Sequence, residues 1–113
     1  MPQTQMETYE TPGGIISAAR ITARPEKRKE LFMTITSLLD QIRQQAGCRG
    51  YRFYGEASSE DSFMLIGEWE TRNDWDRHMH SEHFAVLLGS LELLSAEKRP
   101  NFRLLSQMDP TGL

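Results

Sequence analysis

The order of apolar patterns along the chain predicts an α+β fold with the elements β-α-β-β-α-β. Short runs rich in β-branched and aromatic residues alternate with longer segments whose apolar residues recur every three or four positions. Two of the strand-like runs also follow each other directly across a short polar turn, as in a hairpin. This is the pattern of a ferredoxin-like sandwich, in which helices cover one face of a four-stranded sheet.

The first strand and the first helix are predicted in the opening third of the domain. Ile15 to Arg24 is rich in β-branched and small residues, which favours a strand. Pro25 then takes the first helical position, where its missing N–H costs nothing, and Gly47 ends the helix as a C′ glycine. The inward stripe of this helix is predicted to contain Leu31, Ile35, Leu38, Leu39 and Ile42.

A hairpin is predicted next, from Cys48 to Glu56 and from Ser62 to Glu70. In its first strand, alternation puts Tyr51 on one face of the sheet and Tyr54 on the other. Its second strand is apolar on both faces, so it needs cover on both sides. Helices supply only one layer, and we therefore expect a homodimer whose two sheets pack face to face.

Two helices and a last strand complete the domain. Thr71 and Asp74 have capping-box spacing, so Thr71 should start a helix. Ser81 is expected to cap the next helix, whose stripe contains Phe84, Leu87, Leu88 and Leu91. Residues 101–108 are predicted as the last strand, with Phe102 and Leu104 on one face.

Composition limits the kind of protein this is. A length of 113 residues predicts one domain, here 15–108, with a flexible N-terminal arm at 1–14 and a tail at 109–113. The net charge is −3 and the basic residues are scattered, which argues against nucleic acid as a partner. No apolar run approaches eighteen residues, so no membrane span is expected. The single cysteine, Cys48, fits a reducing cytoplasm.

The string from His78 to His83 resembles a metal site, but helical geometry opposes that interpretation. On a helix, His78 and His80 face about 200° apart and cannot hold one ion. We therefore predict no metal site. Cys48 has no neighbouring histidine or cationic cluster in sequence, so it is interpreted as a small buried hydrophobe.

His78 is the candidate catalytic residue. Trp75, His78 and Met79 share one helix face, and an unperturbed imidazole titrates near neutral pH, as a general base requires. The alternative is a histidine that packs beside Trp75 and hydrogen-bonds a backbone carbonyl group.

The candidate substrate-binding residues come from several elements. Tryptophan side chains offer flat walls for an aromatic substrate, although core packing is the simpler explanation. Arginines in mid-strand need a partner, which is either an anionic oxygen of the substrate or the carboxylate of Glu68. Asn73 lies in a first helical turn, where a donor to a ligand or a solvent-facing residue is expected. The full set is Trp69, Trp75, Asn73, Tyr51, Tyr54, Arg20 and Arg52.

Three segments carry a family resemblance that covers roughly residues 15–106. They are the strand followed by Arg24-Pro25-Glu26-Lys27, the turn Ala46-Gly47-Cys48-Arg49-Gly50-Tyr51, and the block Glu68-Trp69-Glu70 with His78 and Ser81-Glu82-His83-Phe84. Together they resemble the antibiotic biosynthesis monooxygenase family of dimeric α/β-barrel proteins. The motifs specify the fold well and the reaction poorly.

The resemblance implies a pocket between sheet and helices and an oxygenase that uses neither metal nor flavin. In that chemistry a base, here His78, deprotonates a phenol or hydroquinone, whose anion passes one electron to molecular oxygen; recombination and loss of water give a quinone. Two alternatives remain open. One is a dimeric barrel that binds a small metabolite without turnover, and the other is an enzyme that processes a small signalling carbonyl compound.

Overall fold

The computed structural model describes residues 14–97 and 100–106. Its elements are β1 (Ile15–Thr22), α1 (Arg28–Arg43), β2 (Cys48–Gly55), β3 (Ser62–Trp69), α2 (Arg72–Met79), α3 (Glu82–Leu94) and β4 (Phe102–Ser106). Of the predicted N-terminal arm only Gly14 is described, and the predicted C-terminal tail lies outside the described residues.

The four strands form one antiparallel sheet in the order β2-β3-β1-β4. The first strand lies between β3 and β4, with Ala18 opposite Ile66 on one side and opposite Arg103 on the other. Since β1 and β3 are neighbours although a helix and a strand separate them in the chain, the topology is that of a ferredoxin-like sandwich. The predicted fold class is confirmed.

The core lies between the sheet and the helices, because alternate residues of each strand point to the helical layer. Its largest fully buried side chains include Trp69, Tyr51, Phe63, Ile21, Leu31, Ile35, Ile42, Leu65, Leu87 and Leu91. The opposite face of the sheet, called here the open face, carries Ile16, Arg20, Arg52, Tyr54, Met64, Ile66 and Leu105. In the described part of the chain, no helix combines the length and the apolar character that a bilayer span requires.

The predicted start of the first helix is wrong. Helix α1 begins at Arg28, and Pro25 instead belongs to a turn in which the N–H of Lys27 donates to the carbonyl oxygen of Arg24 at 2.9 Å. Glu26, the third residue of this turn, has a φ of +66°. Proline followed by a residue of positive φ is the geometry of a type II turn. The fixed φ of proline suits the second position of such a turn and the first position of a helix equally well.

The predicted end of the first helix is also displaced. The helix stops at Arg43, and Gly47 lies further on, in the turn that enters β2. Gly47 has a φ of +80°, and a Cβ at this position would collide with the carboxyl group of Asp74. Glycine is therefore required here both by backbone conformation and by close approach.

Gly47→Ala should lower the free energy of unfolding by about 1–3 kcal/mol, because it adds an overpacked contact to an unfavourable φ. Gly89→Ala is the matched control, since Gly89 lies within α3 and nothing approaches within 4 Å of the added Cβ. Alanine favours a helix over glycine by about 1 kcal/mol, so the control should gain stability. Urea unfolding of both variants would measure the difference, and equal effects of the two substitutions would contradict this account of Gly47.

Both predicted helix caps are confirmed. The N–H of Asp74 donates to the hydroxyl oxygen of Thr71 at 3.1 Å, and the N–H of Phe84 donates to that of Ser81 at 3.2 Å. These caps fix the starts of α2 and α3 and thereby the orientation of the residues between them. His78 lies in this segment, one turn before the second cap.

Candidate functional site

A buried tyrosine–histidine pair lies between the sheet and α2. The hydroxyl oxygen of Tyr51 is 3.1 Å from Nε2 of His78, and the two side chains are 1% and 2% exposed. Tyr51 belongs to the helix-facing side of β2, and His78 is the buried residue of α2. Strand alternation and helical phase therefore direct the two groups into the same space.

Gly67 makes room for Tyr51. It lies opposite Tyr51 on β3, and a Cβ at this position would be 2.6 Å from Cε1 of the tyrosine ring. Because real Cβ contacts are longer than this, a larger residue would displace the ring. The glycine allows the ring to lie directly against the strand and the hydroxyl to reach His78.

Aromatic rings enclose the imidazole on two sides. The Trp69 ring stacks on His78 with centroids 4.6 Å apart and an interplanar angle of 26°. Phe84 meets the same imidazole edge-on, with centroids 5.1 Å apart. Such an enclosure excludes water and holds the ring plane in one orientation.

A hydrogen-bond chain extends from the pair towards the surface. Nδ1 of His78 is 2.7 Å from Oε1 of Gln45, and Nε2 of Gln45 is 3.5 Å from Nδ1 of His83. An amide oxygen can only accept, so this contact is a hydrogen bond when His78 carries its proton on Nδ1. Its Nε2 is then the acceptor for the Tyr51 hydroxyl.

Burial shifts both titrating groups towards their neutral forms. Desolvation, with a smaller contribution from the nearby His83, lowers the pKa of His78 to about 4. Desolvation also raises the pKa of the Tyr51 hydroxyl above its usual value. At neutral pH the pair is therefore a neutral phenol donating to a neutral imidazole.

Two buried indole donors in the described residues have no acceptor, and one of them belongs to Trp69, which contacts the pair. Within residues 14–97 and 100–106, the indole N–H groups of Trp69 and Trp75 have no hydrogen-bond partner. Nε1 of Trp69 lies 3.0 Å from the point where a Cβ of Gly67 would be, on the side of the Tyr51 ring. Buried donors without an acceptor are uncommon in folded proteins.

A surface hollow of about 230 Å³ reaches the histidine from the side of α2. It is lined by Gln45, Ala46, Asp74, Arg77, His78 and Ser81. Ligand pockets usually have volumes of about 300–1,000 Å³, so this hollow would admit part of a ring system without movement of side chains.

Three predicted substrate-binding residues lie away from this group, on the open face. Arg52 pairs with Glu68 at 3.0 Å, one of the two arrangements expected from the sequence. Arg20 pairs with Glu56 at 2.9 Å, and the side chain of Tyr54 is exposed. In the single chain the sheet separates these residues from His78.

The other predicted residues divide between the site and the surface. Trp69 contacts His78 directly, and Trp75 is half-buried on the same helix with the guanidinium of Arg72 over its ring. Asn73 is exposed at the start of α2. His80 is also exposed, and its Nδ1 lies 2.8 Å from the carbonyl oxygen of Asp76, so His78 and His80 face different surroundings, as helical phase requires.

Sequence reasoning did not select Gln45, His83 or Phe84 as site residues. Phe84 and His83 follow the Ser81 cap, and the predicted stripe of α3 already placed Phe84 inward. Gln45 lies in the short turn between α1 and β2, where no periodicity indicates the direction of a side chain.

The chain is similar to a known protein family and to individual proteins of other organisms. The family model described as "Antibiotic biosynthesis monooxygenase" matches residues 14–87. Protein sll1783 of Synechocystis is 27% identical over 70 residues, which are 62% of this chain and 48% of that protein, so the match spans about half of its length. YcnE of Bacillus subtilis, provisionally named a monooxygenase, is 29% identical over 83 residues, 73% of this chain and 87% of YcnE.

The fold also recurs among solved structures. The structure of SnoaB from Streptomyces nogalater, described as a cofactor-independent oxygenase, superimposes with a TM-score of 0.72 at 16% identity. The match covers 82% of this chain and 91% of SnoaB. At this level of identity the similarity is one of fold.

Proposed function

The chain belongs to the antibiotic biosynthesis monooxygenase family, and we propose that it is a monooxygenase that oxidises a small phenolic or hydroquinone-type compound without metal or flavin. The observation that carries this proposal is the Tyr51 hydroxyl bonded to Nε2 of His78 inside an aromatic enclosure. The proposal gives this pair the acid–base role.

Tyr51 is the group that would contact the substrate hydroxyl, because it occupies the acceptor nitrogen of His78. Since Tyr51 is buried and does not line the hollow at His78, neighbouring side chains would have to move to admit the substrate. The substrate passes its proton to the tyrosine oxygen while the tyrosine proton moves to Nε2. Tyr51 then remains neutral throughout, which agrees with the raised pKa of its hydroxyl. The positive charge forms on His78, whose Nδ1–H stays bonded to Gln45.

In the subsequent steps the substrate supplies all the electrons that oxygen accepts, so no further reductant is needed. The substrate anion gives one electron to oxygen, and the resulting radicals combine to form a carbon–oxygen bond at a ring position that carries hydrogen, opposite or next to the phenolic oxygen. Loss of the ring proton and cleavage of the O–O bond then leave one oxygen atom in the quinone and release the other as water, with the proton returned from His78. The sum for a phenol is one phenol and one O₂ giving one quinone and one water.

The low basicity of His78 limits the substrates that fit. A simple phenol has a pKa near 10, so proton transfer to an imidazole of pKa about 4 is uphill by about 8 kcal/mol. Each unit by which the pKa of the substrate hydroxyl is lower reduces the free energy of proton transfer by about 1.4 kcal/mol. Phenols conjugated to a carbonyl group are more acidic and are therefore favoured, and the indole N–H of Trp69 is a donor available to their anion.

Oxygen uptake with a panel of phenols and hydroquinones tests the proposal. We expect uptake with the wild-type protein, no uptake above background with His78→Ala, and unchanged uptake with His80→Ala, which removes an exposed histidine of the same segment. Uptake that survives in His78→Ala would remove the proposed mechanism.

The same low basicity favours one alternative function, a barrel that binds a small metabolite without turnover. This alternative predicts that phenols bind, as measured by quenching of Trp69 and Trp75 fluorescence, while no oxygen is consumed. The two functions are therefore distinguished by the uptake measurement.

We also propose that the active form is a homodimer that joins two open faces. Met64, Tyr54 and Leu105 are large apolar side chains left partly exposed there, and two arginines of this face, Arg20 and Arg52, are already paired with carboxylates. Association would cover the apolar surface, and the prior pairing reduces the cost of removing the charges from water.

Ile66→Glu should convert the proposed dimer to a monomer, because it replaces apolar surface at the centre of the open face by a second carboxylate beside Arg52, which Glu68 already neutralises. Leu93→Glu is the control: Leu93 is 73% exposed on α3, away from the sheet. Sedimentation at equal concentrations would report twice the chain mass for the wild type and the control. A wild-type mass near 13.0 kDa would contradict the dimer.

A further inference from the structure

We propose that Gln45 is the positioning residue of the site: its side-chain oxygen holds His78 in the tautomer that carries the proton on Nδ1. The contact between Nδ1 and Oε1 is 2.7 Å, shorter than the 3.1 Å contact of Nε2 with Tyr51. The catalytic meaning of this inference rests on the proposed function, whereas the tautomer itself follows from hydrogen-bond geometry.

The opposite tautomer would be disfavoured at both ends of the ring. With the proton on Nε2, the lone pair of Nδ1 would face the lone pairs of the Gln45 oxygen at hydrogen-bond distance. The Tyr51 hydroxyl would at the same time have to accept from Nε2–H, and its own proton would need another acceptor. With the amide oxygen of Gln45 directed at Nδ1, only the Nδ1–H form satisfies Gln45, His78 and Tyr51 together.

Gln45 is itself held in place by the turn between α1 and β2. Its backbone N–H donates to the carbonyl oxygen of Ile42 at 3.0 Å, and its own carbonyl oxygen accepts from the N–H of Cys48 at 3.1 Å. Its side-chain NH₂ lies 3.5 Å from Nδ1 of His83, on the side of the amide away from His78. A side chain fixed at both ends can orient a third group.

The tautomer of His78 determines which neighbouring group its lone pair faces. With Nδ1 protonated, the single lone pair of the imidazole is aimed at Tyr51, the group proposed to touch the substrate. Other charged or titratable groups around His78 are Asp74 and Arg77, which line the same hollow, and His83. None of these contacts a ring nitrogen of His78 directly in the described hydrogen-bond network.

Nitrogen NMR of protein labelled in its histidine side chains tests the inference without a substrate. In the wild type, His78 should show the Nδ1–H tautomer at neutral pH. In Gln45→Glu the tautomer should persist, and the titration midpoint of His78 should rise by about 1–3 units, because a carboxylate replaces the neutral acceptor. Gln44→Glu adds the same charge at the exposed neighbouring residue and should shift the midpoint far less.

The Nε2–H tautomer in the wild type would overturn the proposal, and that measurement requires no variant to fold. Equal midpoints in Gln45→Glu and Gln44→Glu would overturn it as well. If the tautomer and the midpoints behave as expected while no phenol is oxidised, Gln45 orients His78 and the proposed oxygenase activity is wrong. If phenols are oxidised and the tautomer is Nε2–H, the activity stands and the role of Gln45 is wrong.

Discussion

Acidification from pH 7 to pH 4 should cost this protein about 3 kcal/mol of folding free energy through His78 alone. The pKa of this residue falls from 6.5 in the unfolded chain to about 4 in the folded one, a difference of roughly 2.5 units at about 1.4 kcal/mol each. Between these values the unfolded chain binds more protons than the folded one, so stability falls as pH falls. The loss begins near pH 6.5 and is nearly complete below pH 4.

The physical reason is that the charged imidazole would have to form in an enclosure of aromatic rings, 2% exposed to water. Urea unfolding at several pH values, at one protein concentration, would measure the effect. His78→Gln removes the titrating group, so its stability should fall less steeply between pH 6.5 and pH 4. His80→Gln should follow the wild type. Parallel curves for the wild type and His78→Gln would show that His78 does not titrate as described.

Tyr51→Phe should lower turnover by about 100-fold or more while leaving the fold intact. The substitution removes only the hydroxyl, whose hydrogen bond to His78 contributes about 1 kcal/mol of stability. General acid–base groups typically contribute factors of about 10²–10⁴ in rate, so the catalytic loss should far exceed the structural one. Without the phenolic donor, the neutral form of His78 is also less favoured, and the pKa of His78 should rise.

The measurement is oxygen uptake by Tyr51→Phe beside thermal unfolding of the same preparation. Tyr54→Phe is the matched control, because Tyr54 is exposed on the opposite face of the sheet. Full activity in Tyr51→Phe would mean that the substrate reaches His78 without the tyrosine, and the relay through Tyr51 would be wrong.

Much of the fold could be predicted because the patterns that specify it are local. Helical spacing placed His78 on the inward face of α2, and capping motifs located the starts of two helices at Thr71 and Ser81. The errors lie at the ends of α1, where Pro25 and Gly47 suit both a helix terminus and a turn. Local preference alone cannot distinguish these two uses.

The site was only partly predictable, because its assembly depends on which sheet face the helices cover. Strand alternation reduced the choice to Tyr51 or Tyr54, and the packing of α2 decided it. Glu56, the partner of Arg20, lies 36 residues further along the chain. Helix and strand periodicities relate only residues that are close in sequence, so they could not predict this ion pair. Gln45 belongs to a turn, where the direction of a side chain follows from tertiary contacts.

The most direct test of the account is turnover under oxygen gas labelled with its heavy isotope, comparing the wild type with His78→Ala. The account predicts a quinone carrying one labelled oxygen atom, with the second label released as water, and loss of this product in His78→Ala. An unlabelled product, or a labelled product formed equally well by His78→Ala, would contradict the claim that the buried Tyr51–His78 pair performs a monooxygenase reaction.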